Sequence, residues 1–130
     1  MKSDTIAKIF ISAGSTQKLR TLKGRTGLTP NILSRLALSL SLKEPGRPDP
    51  GSYPNDGMEF NRYTLLGEHD LLIMSLLREW CIQNNLGDEV DLSEQLRAHI
   101  NRGVNILYPR LKVLGDLGGL TAKSKSTKVT

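Results

Sequence analysis

Aromatic residues make up only 5% of this 130-residue chain, and Cys81 is its single cysteine. The first shortage excludes a core of stacked rings and leaves Leu and Ile to fill the interior, which favours helices packed on helices. The second excludes an intrachain disulfide and fits a reducing, cytoplasmic setting. No apolar run approaches the length of a membrane span, and MKSDTIAKIF lacks a signal peptide's apolar core. Strand-forming sequence is scarce too. Only TIAKIFIS, residues 5–12, gathers β-branched and aromatic residues. Phosphate loops, dinucleotide fingerprints and nucleophile elbows are absent.

What is present is charge, and it is segregated. The net charge is +5. Residues 1–43 hold eight Lys/Arg and one acid, net +7; residues 44–101 hold four and eleven, net −7; residues 102–130 hold six and one, net +5. Segregation of this kind predicts a basic face for a polyanion. The acidic middle reads as either a solvated helical surface or a face for a protein partner.

The chain is organised around Lys18 to Lys43, KLRTLKGRTGLTPNILSRLALSLSLK. Leu19 and Leu22 form an apolar stripe, while Lys18, Arg20, Lys23 and Arg25 occupy the remaining surface of a helix running to about Thr26. Ser15 or Thr16 is its expected cap. Gly27 fits a left-handed C-terminal position, and Thr29 followed by Pro30 is a helix start. A second helix runs to about Leu42, with Ile32, Leu33, Leu36, Ala37 and Leu40 facing the core and Arg35 projecting elsewhere. A helix start beside several cations is a seat for phosphate. The candidate DNA-binding residues are therefore Lys18, Arg20, Lys23, Arg25, Thr29, Asn31 and Arg35.

A lone strand needs a partner. None of similar quality follows, so the expectation is either pairing with the same strand of a second copy, and hence a homo-oligomer, or an extended arm lying against the helices. Strand, basic helix, turn and apolar helix in that order match a ribbon-helix-helix unit. The expected fold is mainly α: this N-terminal unit, a Pro-rich loop and two further helices. The loop, residues 44–61, carries four prolines among its residues, but Tyr53, Met58 and Phe60, with Tyr63 beyond it, anchor it to the domain. A third helix, about Glu68 to Asn84, is apolar on nearly all sides and predicts burial from more than one direction. Asp91 with Glu94 starts a fourth helix ended by Pro109, and Gly103 in its middle predicts close approach of another helix. Residues 1–118 form one domain on this reading, and residues 119–130 a disordered basic tail.

Catalytic chemistry finds little support. His69 and Cys81 lie twelve residues apart on one helix, about 18 Å, too far to share a metal. Cys81 follows Trp80 on an apolar helix and reads as a buried, inert thiol. Asp88, Glu89, Asp91 and Glu94 are explained by an acidic helix start. The expectation is a protein that is not an enzyme and holds no metal or cofactor.

KLRTLKGRTGLTPNILSR, EPGRPDPGSYPNDGMEFNRYTLLGEHD and RAHINRGVNILYPRLKVLGDLG resemble the DndE family of DNA phosphorothioation proteins. The resemblance spans about Ile9 to Gly118. It implies a tetramer working beside other Dnd modification proteins, which replace a non-bridging phosphate oxygen of DNA with sulfur. It also implies binding of duplex DNA, with a preference for nicked duplex, through surface lysines. Arg20, Arg25 and Arg35 are arginines, so a lysine-specific role does not carry over to them. The leading expectation is a non-catalytic DNA-binding component of that machinery; the alternative is a scaffold holding other sulfur-modification proteins together.

Overall fold

A computed structural model describes residues 6–87 and 89–112. The basic tail expected at residues 119–130 lies outside them. The described residues are mainly helical, with one small two-stranded sheet. Strand β1 is Lys8–Phe10, followed by helices α1 (Ala13–Thr26) and α2 (Pro30–Lys43). After the Pro-rich loop come strand β2 (Glu59–Asn61), the short helix α3 (Arg62–Leu66), α4 (Asp70–Gln83) and α5 (Leu92–Leu107).

The strand does not wait for a second copy. β1 pairs antiparallel with β2 of the same chain, with Lys8 opposite Asn61, Ile9 opposite Phe60 and Phe10 opposite Glu59. Backbone bonds extend the pairing at both ends, Ile11 N to Met58 O at 3.1 Å and Arg62 N to Ala7 O at 2.9 Å. Ile9 and Phe60 turn inward from this ribbon and are buried. Three residues after a Pro/Gly-rich loop show no readable alternation, so the partner strand was invisible in the sequence.

Helix α1 starts three residues before the expected cap. Ser12 Oγ accepts from Ser15 N at 3.0 Å, and Ser15 and Thr16 lie buried inside the first turn. Its end is as expected: Gly27 adopts φ 78°, where a side chain would clash with its own backbone. Thr29 caps α2 through Oγ1, which accepts from Ile32 N at 3.3 Å. Leu33 and Ala37 reach the core, whereas Ile32 is 39% exposed.

The centre of the molecule is α5, not the more apolar α4. Its main neighbour is α2, along which it packs closely. A Cβ at Gly103 would run into the Ala37 carbonyl, so the glycine allows the two backbones to touch. Helix α4 buries Met74, Leu77, Trp80 and Cys81 but leaves Leu71, Leu72, Leu76 and Ile82 between 49% and 78% exposed. Its outer face is bare.

Candidate nucleic-acid interface

Seven residues were expected to face DNA, and the fold distributes them over three surfaces. Helical geometry of about 100° per residue puts Lys18 and Arg25, seven apart, on nearly the same side of α1. That side lies against the end of α5. Lys18 Nζ donates to Asn105 Oδ1 at 2.6 Å and sits 5.8 Å from the centre of the Tyr108 ring. The Arg25 guanidinium lies 5.0 Å from the same ring. Arg20 and Lys23 fall on other sides of the helix by the same geometry, and both are exposed.

Thr29 and Asn31 mark a second surface. Pro30 has no N–H and Thr29 already holds the amide of Ile32, which leaves the Asn31 amide as the donor on offer there. Asn31 lines a cleft of about 380 Å³ with Pro30, Met58, Glu59, Phe60, Asn61 and Thr64. The Glu59 carboxylate in that wall works against an incoming anion, although Lys8 lies 3.3 Å from it. Arg35 belongs to a third surface. Its Nε donates to Asn31 O at 3.5 Å, and it lines a groove of about 280 Å³ between α2 and α4 with Ile32, Leu36, His69, Leu72 and Ile73.

Two basic residues that the sequence did not single out hold the fold together. Arg97, almost wholly buried, donates from Nη1 to the carbonyls of Tyr53 (2.7 Å) and Pro54 (3.3 Å), and from Nη2 to that of Pro50 (3.1 Å) and to Glu94 Oε1 (2.9 Å). Arg102 donates from Nε to Ser41 Oγ at 2.8 Å, from Nη2 to Ser41 O at 2.7 Å, and from Nη1 to Gly46 O at 3.2 Å. Together they strap the Pro-rich loop onto α5. A loop poor in N–H groups cannot satisfy its own carbonyls, and that deficit is the signal that a donor must come from elsewhere.

Much of the acidic middle is used locally as well. Asp56 accepts from the Ala13 amide at 2.8 Å, Asp49 from Gly51 N at 3.0 Å, and Asp91 from Ser93 N at 3.0 Å. Asp70 takes a double bond pair from Arg62, 2.8 Å each, which holds its carboxyl below the usual carboxylate range.

The groups with catalytic potential are shut in. His99 Nδ1 lies 2.7 Å from Ser41 Oγ, and its ring meets Trp80 edge-on with centroids 4.2 Å apart. Burial first, and the neighbouring Arg102 charge second, push the imidazole down to about 3. Cys81 is fully buried, and burial pushes its thiol up. Among the described residues no three His, Cys, Asp or Glu side chains gather as a metal site, and no helix is long and apolar enough to cross a membrane.

The family model for the DNA sulphur modification protein DndE matches residues 8–114. The crystal structure of DndE from Escherichia coli B7A, involved in DNA phosphorothioation modification, is 28% identical with a TM-score of 0.68, over 81% of this chain and 99% of that one. A DndE glycine-to-lysine mutant involved in DNA phosphorothioation is 26% identical with a TM-score of 0.61, over 78% and 97% of the two chains. No curated protein matches the chain.

Proposed function

The chain belongs to the DndE family of DNA sulphur modification proteins, and from that premise we propose that it is a non-catalytic, cytoplasmic component of phosphorothioation that grips the phosphate backbone of duplex DNA. One observation carries this reading. Helix α1 bears Lys18, Arg20, Lys23 and Arg25 with no acidic residue along its length, and three of the four are exposed. Such a helix attracts a polyanion without reading bases, and backbone recognition suits a machinery whose chemistry is done on the backbone. The sealed Ser41–His99 pair and the buried Cys81 thiol support a non-catalytic role.

A salt titration of fluorescent duplex tests it. With about four phosphates neutralised per protomer, the logarithm of the association constant falls with the logarithm of salt at a slope near −3.6. Nicked duplex, intact duplex and single strand are compared at matched salt, and nicked duplex is expected to bind tightest. A slope near zero, or no binding at low salt, overturns the proposal.

The exposed face of α4 favours a second role, as a contact surface. Leu72 with Leu76, and Leu71 with Ile82, each fall on nearly one side of the helix with the small Ser75 among them, which suits another helix. We assign this face to a further copy of the chain, in an assembly up to the expected tetramer, with the other Dnd modification proteins as the competing occupant. Light scattering, then pull-down with each Dnd protein, separates the two.

A further inference from the structure

We propose that Tyr108 and Asn105 are positioning residues that hold Lys18 and Arg25 as a paired cation grip along the seam between α1 and α5. The inference rests on the DNA-binding reading above and goes beyond α1, because both holders stand on α5 or just past its end.

Three cations of the chain stand against carboxylates. Lys8 faces Glu59 at 3.3 Å, Arg62 faces Asp70 at 2.8 Å and Arg97 faces Glu94 at 2.9 Å. In each pair the positive charge is offset by a carboxylate. Lys18 and Arg25 are held instead by an amide oxygen and an aromatic ring, both neutral. Asn105 takes one of the three ammonium protons of Lys18 and leaves two. The ring face draws the guanidinium through its quadrupole and occupies none of its five N–H groups in a directed bond.

Position reinforces the hold. Asn105 is in the last turn of α5 and Tyr108 is its C-terminal cap, so both cations lie by the negative end of that helix. Lys18 and Arg25 are two turns apart, about 10 Å along α1, and point the same way. Long basic side chains normally lose rotamer freedom when they close on a phosphate. Here part of that ordering is done before DNA arrives, which raises affinity without adding a contact. Asn105 is exposed and Tyr108 only partly buried, so the arrangement is open to solvent along the seam.

The test uses the full chain and a nicked duplex, with affinity measured across a salt series. Asn105→Asp is the sharpest variant, because an exposed isosteric change replaces a neutral holder by a carboxylate that cancels Lys18. It should weaken binding and make the salt slope shallower by about 0.9, the share of one phosphate. Tyr108→Leu should weaken binding about three- to tenfold with the slope nearly kept, since both charges remain. Tyr108→Phe, which keeps the ring, should bind like wild type. The effect of Tyr108→Leu should vanish in an Arg25→Ala, Lys18→Ala background, as coupling through those cations requires.

Wild-type affinity for Tyr108→Leu, or an undiminished effect in the double-alanine background, overturns the positioning role while leaving DNA binding intact. An unchanged slope for Asn105→Asp does the same. If the wild-type chain binds no DNA, or binds without salt dependence, the functional reading itself fails and takes this one with it.

Discussion

Acid should unfold this protein through His99 before it does so through the carboxylates. The imidazole is fully buried, and its Nδ1 lies 2.7 Å from Ser41 Oγ, a hydroxyl that accepts from Arg102 Nε at 2.8 Å. A charged imidazole, with a proton on Nδ1, would force the hydroxyl to accept from two cations at once. Burial and Arg102 therefore hold His99 near a pKa of about 3, against 6.5 for a free imidazole. A base with a lowered folded pKa binds more protons when unfolded, so stability is whole above pH 6.5 and is lost as pH falls toward 3. The slope is about 1.4 kcal/mol per pH unit, or roughly 3 kcal/mol by pH 4.5, a large part of a small domain's total. Asp70, held low by Arg62, adds its own loss as pH falls through the ordinary carboxylate range and below it, so most of the window from pH 6.5 to 4.5 belongs to the histidine. Urea unfolding followed by circular dichroism measures it, and Trp80, the only tryptophan, reports from beside the ring. His99→Gln should lower stability at pH 7.5 but flatten the dependence. Wild-type stability constant within about 0.5 kcal/mol from pH 6.5 to 4.5, or an unchanged slope in His99→Gln, refutes the reasoning.

Gly103→Ala should cost about 3 kcal/mol or prevent folding, because the atom it meets is the Ala37 backbone, which cannot turn aside; a thermal melt reads this directly. Arg97→Met removes the donor from the Pro50, Tyr53 and Pro54 carbonyls and should cost about 2–4 kcal/mol, with faster proteolytic nicking in the loop at residues 45–54. Leu72→Glu with Leu76→Glu changes two exposed positions, so folding by circular dichroism should be unaffected while the mass by light scattering falls to that of a monomer; an unchanged mass would clear α4 of a role in assembly.

The parts of the fold that could be read from sequence are those set by local backbone chemistry. Gly27, Thr29, Pro30 and Asp91 occupy the cap positions that their residue types predict, and Gly103 marks the close approach of α2. The parts that could not be read depend on distant partners. Strand β2 is three residues whose identity comes from meeting β1 some fifty positions earlier. Helix α5 is central although it carries Gln95, Arg97, His99 and Asn101, because each polar group except parts of Gln95 and His99 finds a partner across the fold: Asn101 Oδ1, for one, accepts from Ser12 N at 3.1 Å. Hydropathy ranks α4 above α5 for burial, and the satisfaction of polar groups reverses the order.

The same lesson applies to the interface, where counting charges misleads. The basic N-terminal third and the basic C-terminal part contain residues of two kinds that composition cannot tell apart. Arg102 is spent on Ser41 and the loop carbonyls, as Arg97 is in the acidic middle, and neither is available to a ligand without loosening the strap. Lys18 and Arg25 are held more lightly, by one amide oxygen and one aromatic ring. What separates a structural cation from a proposed binding one here is how many of its N–H groups are already taken: Arg102 gives its donors to Ser41 and the loop carbonyls, whereas Lys18 gives one to Asn105, and these partners are set by tertiary contacts between elements far apart in the chain. A basic stretch in sequence thus bounds where a polyanion can bind, and on the proposed reading Asn105 and Tyr108 select which of its members are held ready for one.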